Sequence, residues 1–143
     1  MCVDTAAIGK DETMSYYIST TLRVAFDDAV SRATEALKTQ GFGIITEIDV
    51  TATLKSKIGV DFPKYRILGA CNPTLAYEAL KLEDKVGTML PCNVVVRDAG
   101  NGATEVAVID PVASMQAIDN PELKKAAEHV RTLLDKVIRQ LSA

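Results

Sequence analysis

The stretch Ile67–Val96, ILGACNPTLAYEALKLEDKVGTMLPCNVVV, leaves the chain few ways to fold. One apolar run ends in Cys71-Asn72-Pro73, and another opens at Pro91-Cys92-Asn93. Asn72 ahead of Pro73 is a helix start. The asparagine side chain accepts from unpaired N–H groups of the first turn, and a proline at the first helical position has no N–H to leave unpaired. Leu75, Ala76, Ala79, Leu80 and Leu82 then recur as the buried stripe of a helix over Thr74–Glu83. Strand, helix and strand therefore follow one another closely, with the dipeptide Cys-Asn at both junctions.

The flanking chain completes a small α+β pattern. Tyr16–Val24 is β-branched and aromatic and reads as a strand. Ala29, Val30, Ala33, Ala36 and Leu37 have helical spacing, with Asp27 as expected N-cap and Gly41 as the stop. Phe42–Val50 is a second strand, Thr51–Ile58 a short helix or pair of turns closed by Gly59, and Tyr65–Ala70 a third strand. After the helix, Val86–Leu90 is expected to cross back extended into a fourth strand, Cys92–Arg97. Ala99-Gly100-Asn101-Gly102 supplies the positive φ angles of a hairpin turn into a fifth strand, Thr104–Ile109. Asp110-Pro111 ends that strand and Val112–Ile118 has room for a helical turn. Asn120-Pro121 opens a last helix to about Leu141, with Leu123, Ala127, Val130, Leu134, Val137, Ile138 and Leu141 inward. The helix between the first two strands has the length of a right-handed crossover. This order predicts a two-layer α+β sandwich: one mostly antiparallel or mixed sheet of about five strands, with helices on one face.

Met1–Thr13 has no periodicity and is expected to be a loose leader carrying Cys2, with residues 14–143 forming a single domain. Net charge is −3 with Lys and Arg scattered, which disfavours a nucleic-acid binder, since that needs a basic face. No apolar run is long enough to span a membrane and no secretory signal is read. Three cysteines, an odd number without an export signal, point to a reducing cytoplasm rather than a disulfide framework.

The residues that can carry chemistry are few. Cys71 precedes a helix N-terminus, where peptide N–H groups and the helix dipole favour a thiolate; it also suits a small buried position at a strand end. Cys92 meets it only if the path reverses. Roughly ten helical residues descend about 15 Å at ~1.5 Å each, and Val86–Leu90 extended climbs back about 16 Å at ~3.3 Å each. Asn72 and Asn93 suit caps and turns, but Asn93 inside an apolar strand start needs hydrogen-bond partners or a ligand. Glu47 and Asp49, two apart on a strand, share a face and suit acid–base or cation work, or a solvated edge. Asp110 caps the turn after Pro111 or faces the same site. His129 is the one histidine and sits on the last helix, so no metal site is expected, and no cofactor motif is present.

The segments GFGIITEIDV, TLKSKIGVDF, YRILGACNP, GTMLPCNVVV and VAVIDP together resemble the bacterial and archaeal family called domain of unknown function 302. The resemblance runs from about Tyr16 to the last helix. It covers Glu47-x-Asp49, Ala70–Pro73, Leu90–Asn93 and Asp110-Pro111, and implies a compact α+β domain, often a dimer, with no established activity. Three functions remain open. The first is a homodimeric module binding a small ligand or a partner near the Cys-Asn loops, through Glu47, Asp49, Cys71, Asn72, Cys92, Asn93 and Asp110. The second is a thiol protein for redox, sulfur transfer or soft-metal handling, with Cys71 as nucleophile and Cys92 as resolving partner. The third is a hydrolase or isomerase using Glu47 or Asp49.

Overall fold

The structure, a computed structural model, describes residues 15–143. The expected leader and Cys2 lie outside the described residues. The order is β1 (Tyr17–Leu22), α1 (Phe26–Thr39), β2 (Gly43–Asp49), α2 (Val50–Ile58), β3 (Tyr65–Cys71), α3 (Pro73–Leu82), β4 (Cys92–Gly100), β5 (Ala103–Ile109), α4 (Pro111–Ser114) and α5 (Pro121–Ser142). The strands form one sheet in the order β1-β5-β4-β3-β2, and every neighbouring pair is antiparallel. The edge strands β1 and β2 therefore run the same way, and α1 joins them across the whole sheet.

Helices α1 and α5 cover one face of the sheet. Strand alternation sends Leu68, Val94, Val96, Val106 and Val108 to that side, where they bury against Ala29, Ala33 and Leu37 of α1 and Leu134, Val137 and Ile138 of α5. A second cluster gathers Ala79, Val86, Met115, Leu123 and Ala127 beside the sheet, between α3 and the first half of α5. This is the expected two-layer α+β sandwich. No helix among the described residues is long and apolar enough to cross a membrane.

Local signals set most element ends. Asn72, Asp110 and Asn120 each accept from backbone N–H groups of the helix they open, and a proline follows each of them. Gly41 (φ 86°) closes α1: its N–H reaches Lys38 O and that of Phe42 reaches Leu37 O, which satisfies two carbonyls of the last turn. Asn101 (φ 55°) and Gly102 (φ 77°) make the two-residue turn between β4 and β5.

Three expectations change. Asp27 is not the N-cap of α1. Buried Phe26 already belongs to the helix, the cap position falls on Ala25 without a side-chain bond, and Asp27 and Asp28 sit in the first turn facing the positive helix end. Val86–Leu90 is not extended, because Val86–Met89 forms a 3-10 turn that buries Val86 in the second cluster. Leu80 is exposed, since α3 lies at the end of the sheet and fully buries only Ala79.

Candidate functional site

The two Cys-Asn loops meet at one end of the sheet. β3 ends at Cys71, β4 begins at Cys92, and the register sets Ala70 opposite Cys92. Gly69 makes the close approach possible: a Cβ there would come 2.7 Å from Pro91 Cγ and would also collide with Thr46 Oγ1. Both cysteines are free and border one cavity of about 350 Å³.

The cavity lies where the two core clusters fail to meet. The sheet side supplies Phe42, Ala70 and Cys92, α3 supplies Leu75, Ala76 and Ala79, and α5 supplies Leu123, Ala126, Ala127 and Val130. Alanines on both helices leave unfilled the space that longer side chains would take. Met115 closes one side, while exposed Ile45 and Leu80 also border the cavity. Among the described residues no charged side chain lines it.

The polar side chains of the cavity are fixed by their backbone positions. Asn72 Oδ1 accepts from Leu75 N at 3.2 Å as the cap of α3. Its amide nitrogen lies against Gly41, where a Cβ would come within 2.9 Å of Nδ2. Cys71 is half-buried at the strand end. Cys92 faces the core, and its thiol is pushed up to about 11, first by burial and second by the charge of an ionised Cys71. At neutral pH Cys92 is a protonated thiol.

The other sequence candidates lie elsewhere. Glu47 and Asp49 do share a face: both carboxylates reach Arg66, at 3.2 and 3.9 Å. Asp49 also caps α2 by accepting from Ala52 N at 2.9 Å, and the Arg66 guanidinium lies 5.3 Å from the Phe26 ring centroid. Arg66 is near the start of β3 and Cys71 at its end, roughly 16 Å apart at ~3.3 Å per residue. Asp110 is buried, accepts from Val112 N and from Arg131 Nε, each at 2.9 Å, and turns away from the cavity that its neighbour Pro111 borders. Asn93 stands opposite Gly69 and is exposed on the helix-free face of the sheet, because adjacent strand residues point to opposite sides. That alternation separates Asn93 from Cys92 in the sequence already. Among the described residues no three His, Cys, Asp or Glu side chains converge to hold a metal ion.

On the α5 wall, Leu123, Ala127 and Val130 were legible in the sequence only as core, and Ala126 and Met115 were not singled out. The signal for a cavity was the alanine content of the facing stripes, Ala76 and Ala79 on one helix and Ala126 and Ala127 on the other.

Comparison with known proteins agrees with this fold. The family described as Domain of unknown function DUF302 matches residues 18–141. A crystal structure of an uncharacterized conserved protein DUF302 from Bacillus stearothermophilus is similar, with a TM-score of 0.81 and 29% sequence identity. The match covers 88% of this chain and 98% of that one. None of the curated proteins compared matches. The family match spans the whole sheet, α1 and nearly all of α5, and on that ground the chain belongs to the DUF302 family.

Proposed function

We propose that this domain is a small-molecule-binding module that works as a homodimer, with its ligand site in the cavity between the Cys-Asn loops, α3 and α5. The observation that carries the reading is the cavity itself. An apolar hollow of about 350 Å³ with a few placed polar groups has the form of a ligand pocket, at the small end of the usual range of roughly 300–1,000 Å³. It is also where the most distinctive sequence of the chain converges.

The experiment is titration with N-phenyl-1-naphthylamine, a neutral dye that brightens in apolar sites. Native protein is expected to saturate, and Ala126→Phe, which fills the cavity from a half-buried position, is expected to lose the signal while keeping its far-UV circular dichroism. No saturable binding by the native protein, or undiminished binding by a folded Ala126→Phe, overturns the reading. The dimer is supported by the sheet face opposite the helices. Ile48, Ile67, Val95 and Ala107 follow one another across it in register, and Tyr17 and Ile109 pair beside them.

A second reading, a thiol protein with Cys71 as nucleophile and Cys92 as resolving partner, is favoured by the two free thiols on one cavity. The raised thiol of Cys92 opposes it, because the thiolate is the reactive form.

A further inference from the structure

Resting on the binding function proposed above, we infer that the cavity selects an uncharged, largely hydrocarbon molecule carrying one hydrogen-bond acceptor, which docks on the side-chain amide N–H of Asn72. The absence of charge in the lining comes first. Four other hollows on the described surface each have acidic and basic side chains on their rims: Asp49 with Arg66, Glu105 with Arg97, Glu128 with Arg131, and Glu35 with Arg32. This one has neither sign. A carboxylate or ammonium entering it would shed water and find no counter-ion, a cost no apolar contact offsets.

The second part is the inventory of polar side chains. The lining offers two thiols and one amide. Thiols are weak donors and weak acceptors, so they do not fix the orientation of a ligand. The amide can. Its oxygen is committed to Leu75 N, which settles which way the group is turned. The nitrogen then carries two donors, and among the described residues the side chain makes no hydrogen bond other than the one from Leu75 N. That nitrogen packs beside Gly41, where a side chain would press on it. A ketone, ester or ether oxygen satisfies the donor, and the remainder of the molecule occupies the space left by Ala76, Ala79, Ala126 and Ala127.

The test titrates the full chain with three probes of one ring system: naphthalene, 2-acetylnaphthalene and 2-naphthoate. Binding is followed through the amide resonances of the four helix alanines of the cavity, Ala76, Ala79, Ala126 and Ala127. In native protein the ketone is expected to bind about fivefold tighter than naphthalene, the net worth of one hydrogen bond, and the carboxylate weakest. Asn72→Ser keeps a capping oxygen but loses the amide donor, so the ketone preference is expected to vanish while naphthalene affinity stays. Asn72→Asp also keeps the cap and serves as a second folded variant, in which the ketone is expected to fall below naphthalene. Naphthalene and the ketone binding equally to native protein would overturn the Asn72 anchor and leave the binding function standing. Naphthoate binding as tightly as the ketone would overturn the uncharged class. If no probe shifts the alanine resonances, the binding function falls together with this inference.

Discussion

Cys92 is the residue whose chemistry the fold changes most. Its thiol rises from the ordinary 9.0 to about 11 because burial penalises the thiolate and an ionised Cys71 repels it. Below pH 9 native and unfolded chains both hold the proton, and the stabilising effect is complete. Between about pH 9 and pH 11 the unfolded chain releases its proton first, so stability falls as pH rises, by on the order of 2–3 kcal/mol from this group. Urea midpoints at pH 8 and pH 10.5 are expected to drop further for native protein than for Cys92→Ala; equal drops would contradict the burial argument. Alkylation of the folded protein, read separately at each cysteine, decides the thiol reading at the same time. Fast neutral-pH reaction at Cys71 supports it, and protection of both thiols until unfolding removes it. Asp110 is buried as well, and its side chain is paired. It is fully partnered by Val112 N and Arg131, which makes it a clamp between α4 and α5 rather than a reagent.

The elements were legible wherever their ends depend on neighbours in sequence. Asn72-Pro73, Asp110-Pro111, Asn120-Pro121, Gly41 and the Gly100–Gly102 turn all act within a few residues, and each falls where the sequence placed it. Asp27 misled because Phe26, pulled into the core, starts α1 two residues early. The 3-10 turn at Val86–Met89 and the exposure of Leu80 depend on where α3 rests, and strand order depends on pairings far apart in the chain. For the candidate site, sequence singled out Cys71, Asn72 and Cys92 but left open whether the two Cys-Asn loops meet. It gave no means of knowing that Glu47 and Asp49 lie at the other end of β3, held by Arg66. Asn120 joins two elements at once. Its Oδ1 accepts from Glu122 N and Leu123 N to cap α5, and its Nδ2 donates to Leu82 O at the end of α3. Asn120→Ala is expected to cost about 2 kcal/mol, the sum of a cap and a tertiary bond, and Asn120→Ser about half of that. Chemical denaturation measures both, and an Asn120→Ser protein as stable as the native one would show that the link to Leu82 contributes nothing.

At the scale of the whole molecule, a two-layer sandwich covers one sheet face with helices and leaves the other with half-buried and exposed apolar side chains. In the dimer proposed above, a second copy covers that face. Light scattering at micromolar concentration is expected to give a dimer for native protein and a monomer for Val95→Glu, which sets a charge in mid-sheet; a native monomer would remove the dimer from the proposed function. The β1–β5 pairing bears on how the domain is made. β1 has one neighbour in the sheet, and Leu22 meets Thr104, 82 positions later (104 − 22). A ribosome adding 5–20 residues per second takes roughly 4–16 s to cover that distance. Through all of it β1 has no strand to bond to, and α1 has no second helix beside it until α5 is synthesised. The nascent chain holds its first strand in reserve until β5 is made, while β2, β3 and β4 already have one another to pair with.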